Sequence, residues 1–247
     1  MKKSIFLSFL FCVCTGLYAQ VWVIVKKNGQ IEKLTANSVS YVTAREIDEA
    51  HEYVDLGLPS GTLWATMNIG ATSPEEFGEF FAFGEVVSNE DGKSLYNWNT
   101  YKWCNGGPDR LTKYCPVDSL GAVDERKILD LQDDAAYVNW GPHWRMPNYL
   151  QLQELVSCCT WTESEMNNVP GFEVKGPNGN TMFLPSSGWY NGKNHDGVGK
   201  GGDYWGANVS GADAKNAWGF WFFNGKYGFA IRFPRYFGRA VRPVYVP

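Results

Sequence analysis

The chain has 247 residues, with 22 Lys and Arg against 26 Asp and Glu and a formal net charge of -4. No basic run exceeds two residues, so it lacks the positive field that nucleic-acid binding requires, and no nucleic-acid partner is expected. Eleven Trp and thirteen Tyr in a chain with 27 Gly exceed what a core of this size needs. Either large rings fill awkward gaps in a loop-rich β protein, or rigid aromatic side chains form a contact surface.

The N-terminus reads Met1-Lys2-Lys3, then an apolar run from Ile5 to Leu17, then Tyr18-Ala19-Gln20. A positive start, a short apolar stretch and a small residue at a cleavage point have the form of a secretory signal, expected over 1–19. Export to the periplasm, the cell surface or the medium follows, with no membrane span, because no later segment is apolar for long enough. Cys12 and Cys14 fall inside this segment, which leaves Cys104, Cys115, Cys158 and Cys159.

Residues 20–43 read as a β-hairpin element: Val21–Val25 is an apolar strand, Asn28-Gly29 a turn, and Ile31 and Leu34 resume the pattern. Val39, Tyr41 and Val42 offer a further strand. The charged stretch 44–52 is a junction, and the main domain is expected over 53–247. Val54–Leu58 and Leu63–Ala65 are short strands around Pro59-Ser60-Gly61. Ser73-Pro74-Glu75-Glu76 carries helix-start chemistry. Residues 88–123 read as a long loop. A short helix is expected from Asp133 to Val138, and a second after Pro147-Asn148, where Leu152, Leu155, Val156 and Cys159 fall at i, i+3, i+4 and i+7.

From Pro170 the texture changes to short strands between turns. Asn178-Gly179 separates two apolar runs, residues 188–202 form a Gly-rich loop, and Asn224-Gly225 turns Ala217–Phe223 into Tyr227–Phe233. Few helices and many short strands define an α+β class with heavy loop content. The export signal permits disulfides. A local bridge between Cys104 and Cys115 is open to the turn-rich stretch they enclose, and one of Cys158 and Cys159 is expected to pack inward.

The segments YVDLGLPSGTLWATMNIGATSPEEFGEFFAFGE (53–85), YNWNTYKWC (96–104), LTKYC (111–115), DDAAYVNWG (133–141), WRMP (144–147), QELVSCCTW (153–161), GPNGNTMFLPSSGW (176–189), YW (204–205) and VRPV (241–244) carry a resemblance in order along 53–247. The series resembles the Fibrobacter succinogenes major paralogous domain of exported proteins in gut Bacteroidetes. The hairpin resembles the short element that often precedes that domain. The resemblance implies a C-type-lectin-like fold with two or three short helices, and binding rather than chemistry. It also marks Asp118-Ser119-Leu120 as similar to an O-glycosylation signal of such proteins. A fold name does not license sugar binding, and the calcium-sugar motifs Glu-Pro-Asn and Gln-Pro-Asp are absent from the sequence.

Side chains alternate along Ala217–Phe223. With Trp218, Phe220 and Phe222 inward, Trp221 and Phe223 point outward. One expectation is that Trp221, Phe223, Asn224, Tyr227, Phe229, Arg232, Tyr236 and Arg239 line one exposed surface, with the Trp, Tyr and Arg content of a binding hot spot. The other is that both faces are buried. Trp64, Trp140, Trp144, Arg145, Trp205 and Arg242 are assigned to structure, the arginines to ion pairs and carbonyl contacts. Asn194-His195-Asp196 has too few ligands for a metal site, and no motif supports structural calcium or any other cofactor. No H-E-x-x-H, G-x-S-x-G or paired-carboxylate arrangement stands out, so no enzyme is expected. The expected function is recognition of a protein or glycan ligand; the alternative is an adhesin-type subunit with an envelope assembly partner.

Overall fold

The structure is a computed structural model that describes residues 23–27 and 30–34 by their backbone, and 51–89, 95–211, 213–229 and 233–247 in full. The expected signal (1–19), the Asn28-Gly29 turn, the strand around Val39, Tyr41 and Val42, and most of the junction lie outside the described residues. Two compact units divide the chain, Met1–Arg45 and Glu46–Pro247.

In the first unit, β1 (Val23–Lys27) pairs antiparallel with β2 (Gln30–Leu34). Lys27 faces Gln30, so two residues separate the strands, the spacing of a tight hairpin.

The second unit is built mostly of small antiparallel sheets with few helices. In chain order it contains β3 (Tyr53–Asp55), β4 (Leu63–Ala65), α1 (Ala135–Trp140), β5 (Trp144–Arg145), α2 (Tyr149–Cys158), β6 (Thr160–Met166), β7 (Val169–Lys175) and β8 (Thr181–Pro185). There follow β9 (Trp189–Asn191), β10 (Asn194–Asp196), β11 (Gly201–Val209), β12 (Asn216–Phe223), β13 (Lys226–Phe229), β14 (Phe233–Pro234) and β15 (Val244–Tyr245). One sheet runs β3-β4-β15-β5, so the end of the domain pairs with its beginning. Another is β6-β7-β8, β9 and β10 form a ribbon, and the fourth runs β11-β12-β13 with β14 paired to the start of β12.

Both helices start where a side chain satisfies the free N–H groups of the first turn. The Asp134 carboxylate accepts from the backbone of Ala136 at 2.9 Å and Tyr137 at 3.1 Å, and also from Met146 N at 3.0 Å, which ties α1 to β5. Asn148 and Gln151 form a reciprocal capping box at α2, at 3.1 and 2.9 Å. Leu152 and Leu155 are fully buried on its inner face, and Cys159 is buried while Cys158 is exposed.

The helix expected after Ser73 is instead a turn. Thr72 N donates to Glu76 Oε2 at 2.6 Å, and the chain folds straight back so that Glu79 N bonds Ile69 O at 2.8 Å. Gly78 makes this possible at φ +69, where a Cβ would stand 2.2 Å from Ile69 O. Too few residues remain before that reversal to offset helix nucleation. The long strands β6 and β11 escaped the sequence reading, as did the two-residue strands β5 and β15, and the Gly-rich loop of 188–202 contains the β9–β10 ribbon.

Two apolar clusters meet at the β11-β12 sheet. Trp205, Phe233, Phe83 and Trp144 belong to one; Tyr204, Phe220, Phe222, Trp161, Leu152 and Trp64 belong to the other. Burying a side chain such as Phe220 or Phe222 stabilises by about 1.5–3 kcal/mol. Trp64, Trp140, Trp144 and Trp205 are buried in these clusters, and Arg242 is fully buried. Arg145 is half-buried, donating to Pro142 O at 2.8 Å and Trp144 O at 2.6 Å.

Candidate functional site

Cross-strand register decides which side chains share a face. Asp203 lies opposite Trp221, and Gly201 opposite Phe223. Across the next ladder Trp221 faces Gly228, whereas Phe222 faces Tyr227 and Phe220 faces Phe229. One side of the sheet therefore carries Asp203, Trp205, Trp221 and Phe223. The other carries Tyr204, Phe220, Phe222, Tyr227 and Phe229.

The second side is sealed at its centre. Tyr204 stacks on Phe220 with ring centroids 4.6 Å apart, and Trp161 stacks on Tyr227 at 5.0 Å. Phe229 packs against Tyr149 at 5.9 Å.

The first side opens into a groove of about 370 Å³, walled by Trp189, Trp221, Phe223, Phe233 and Phe237 beside Pro234, with Asp203 and Arg239 at its base. That volume falls in the range of small-molecule sites. Glycines shape its walls. A Cβ on Gly228 would stand 3.0 Å from Trp221 Nε1, one on Gly201 2.7 Å from the Phe223 ring, and one on Gly219 3.2 Å from the Phe233 ring. A Cβ on Gly197 would meet the Trp189 ring at 2.4 Å. Four rings thus occupy space left by missing side chains, and Trp189, Trp221 and Phe223 keep partial exposure.

At the base, Arg239 Nη1 donates to Asp203 Oδ2 at 2.6 Å. The guanidinium also lies 3.4 Å from the centre of the Phe233 ring and 4.8 Å from that of Trp205. Both residues are buried. Burial pushes the Asp203 carboxyl up while Arg239 pulls it down, and burial lowers Arg239 to about 10 against the pull of Asp203. The two opposite groups thus face each other in a salt bridge at the base. Among the described residues Arg239 Nε has no hydrogen-bond partner.

The eight residues expected to line one surface are therefore divided. Trp221, Phe223 and Arg239 reach the groove, Arg239 as part of its floor rather than an exposed contact. Tyr227 and Phe229 stand on the opposite face because a two-residue turn places them opposite Phe222 and Phe220. Asn224 is exposed in that turn at φ +48, followed by Gly225 at φ +74, so its position serves chain reversal. Tyr236 stands beside the groove against Trp98 at 5.0 Å and Phe237 at 4.8 Å. Arg232 lies outside the described residues.

Sequence reasoning missed Trp189, Asp203, Phe233 and Phe237. The signal for Asp203 was the period-2 pattern Gly201, Asp203, Trp205, hidden by reading the two glycines as loop.

Cys104 and Cys115 are unpaired, as are Cys158 and Cys159. The expected bridge gives way to separate contacts, because the Cys104 thiol donates to Trp98 O at 3.0 Å and the Cys115 thiol to Val117 O at 3.0 Å. A backbone bridge between Cys104 and Leu111 ties part of the stretch instead. His195 sits in β10, stacked on Tyr190 at 4.2 Å, with Nε2 2.7 Å from Ser187 O. Among the described residues no group of three His, Cys, Asp or Glu is placed to hold a metal, and no helix is long and apolar enough to cross a membrane. Ser119 is exposed in a short 3-10 turn over Asp118–Leu120. No family model, curated protein or solved structure matches the chain.

Proposed function

We propose that this chain is an exported, non-catalytic recognition module that holds a protein or glycan ligand in the aromatic groove beside β12. The observation that carries this reading is the groove itself: partly exposed Trp189, Trp221 and Phe223 above a neutral, buried Asp203–Arg239 pair. Large apolar rings left open to solvent around convergent polar groups have the makeup of a binding site. In this reading the second unit has the C-type-lectin-like fold and belongs with the major paralogous domain, whose resemblance spans 53–247. The signal-like N-terminus directs the protein out of the cytoplasm, where such a surface meets glycans and neighbouring proteins.

Arrays of glycans and of cell-surface proteins, probed with and without calcium, test the proposal. Binding should appear and weaken by about tenfold or more in Trp221→Ala and Trp189→Ala, as for truncation of a buried aromatic anchor. Binding that both variants retain in full would place the recognition surface elsewhere.

A second reading, an adhesin-type assembly subunit, draws on the first unit. β1 and β2 form a two-stranded sheet, so each has an edge without a partner among the described residues, and such an edge accepts a strand from another chain. Co-purification of an envelope protein that depends on residues 20–43 would favour it.

A further inference from the structure

We propose that the groove takes a neutral saccharide unit, with its ring stacked on Trp221 or Trp189 and its hydroxyls on Asp203 and Arg239; this rests on the recognition reading above. Two independent features point to that class.

The first is ring presentation. Gly201, Gly219 and Gly228 lie in strands without the positive φ that marks a torsional requirement. Their role is spatial. Trp221 fills the space over Gly228, and Phe223 that over Gly201, so one side of each ring lies against bare strand. A pyranose offers an apolar face of C–H groups whose positive edge complements the negative face of an aromatic ring.

The second is the base. Arg239 Nη1 and Asp203 Oδ2 are spent on each other. Asp203 Oδ1 and Arg239 Nη2 have no hydrogen-bond partner among the described residues, and neither is sealed from solvent as Nε is. An acceptor and a donor thus remain on two paired residues that both line the groove. A hydroxyl can donate to the first and accept from the second, which suits a polyol bearing neighbouring hydroxyls. Charge decides against other occupants of an aromatic pocket. A quaternary ammonium is drawn to rings beside an uncompensated acid, but here Arg239 cancels the acid. An anion meets Asp203 with equal disfavour.

The test uses the whole exported chain and four neutral series: cello-, manno-, galacto- and chito-oligosaccharides. Tetramethylammonium, oligogalacturonate and a proline-rich peptide serve as comparison probes. Binding is followed by tryptophan fluorescence and by NMR shifts of the indole N–H signals. At least one neutral series should bind, with affinity falling about tenfold or more in Trp221→Ala and less in Trp221→Phe, which keeps a stacking face. Asp203→Asn should also weaken binding, and its melting curve separates that from unfolding. Trp221 packs against the core, so the melting curves of the tryptophan variants, with Trp221→Phe as the conservative control, separate lost binding from lost stability. Failure of all four series to bind would overturn the proposal, as would binding left unchanged by both tryptophan variants. If a protein on the arrays, or the charged or peptide probes, bind through Trp221 while no neutral saccharide does, the saccharide assignment falls and the recognition reading stands. If no ligand of any class responds to the groove variants, both fall.

Discussion

Arg235, Arg239 and Arg242 are all buried, yet the fold uses the first and last differently from the middle one. Arg242 spends every nitrogen: Nε on Asn68 Oδ1 at 2.8 Å, Nη1 on the carbonyls of Ala65 at 3.2 Å and Thr66 at 2.6 Å, and Nη2 on Phe183 O at 3.0 Å. Arg235 does the same with Tyr101 Oη at 2.8 Å and the carbonyls of Tyr114, Ala214 and Lys113 at 3.2, 3.1 and 2.9 Å. Both guanidinium groups join segments distant in sequence through neutral acceptors, with no carboxylate involved. Among the described residues the Arg239 guanidinium has a single hydrogen-bonded partner, Asp203. A buried donor without an acceptor costs free energy. Two of these arginines therefore secure the fold, and the third keeps hydrogen-bonding capacity at the base of the groove.

Breaking the secured pair should have the largest effect. Arg242→Met or Arg235→Met orphans several buried acceptors at about 1–3 kcal/mol each, so either should lose about 4 kcal/mol or more in urea denaturation. The double variant Asp203→Leu with Arg239→Met removes both charges at the groove and leaves apolar side chains in their place. Replacing both members of a buried ion pair is often close to neutral, so stability should stay within about 1 kcal/mol of the parent while ligand binding is lost. A double variant as unstable as Arg242→Met would erase the distinction and make Arg239 a third structural arginine.

The glycines divide in the same way. A Cβ on Gly219 would approach Tyr204 O to 2.2 Å, a backbone atom that moves only with its strand. Gly219→Ala should therefore destabilise by about 1–3 kcal/mol, as overpacking does. At Gly228 the nearest atom is Trp221 Nε1 at 3.0 Å, in a partly exposed ring that can tilt. Gly228→Ala should change stability by about 0.5 kcal/mol or less and show itself in weaker binding. Equal losses of stability in the two variants would mean that the Trp221 wall is as rigid as the core.

Alternation along Ala217–Phe223 made the two faces of β12 readable, and Phe220 and Phe222 are indeed fully buried. The Asn224-Gly225 turn also held the answer for Tyr227, since a two-residue hairpin sets it opposite Phe222. Treating the last third as one surface overlooked that constraint. Other features left weaker traces. Strand β6 has polar residues at most positions, with only Trp161 buried, so no apolar period marks it. Glycine inside a strand ordinarily weakens the case for one, and Gly201-Gly202 hid β11 and with it Asp203. The role of Arg235 depends on carbonyls more than 100 residues away in Lys113 and Tyr114, and nothing local announces such a contact.

The smallest effect belongs to a charge pair near the surface, which sets the scale for the buried arginines. Lys113 Nζ lies 2.6 Å from Asp130 Oδ2 and 2.5 Å from Asp133 Oδ2. Its hydrogen bond holds the Asp130 carboxyl below the usual value of 3.8. Burial alone would pull Lys113 down, but the two carboxylates outweigh it and hold the ammonium above 10.5. A depressed acid contributes stability above its unfolded value and loses it as pH falls through the folded one. A raised lysine contributes below its unfolded value and loses it as pH rises through the folded one. The pair should thus act across the neutral range and fade at both extremes. Asp130 is 38% exposed, so solvent screening limits its contribution to about 1 kcal/mol or less. Asp130→Asn should be less stable than the parent by that amount at pH 7, and the gap should shrink as pH falls from 3.8 through the lower folded value. A gap that stays constant between those pH values would mean that Asp130 acts through packing or neutral hydrogen bonds, as Asn68 does for Arg242, and not through its charge.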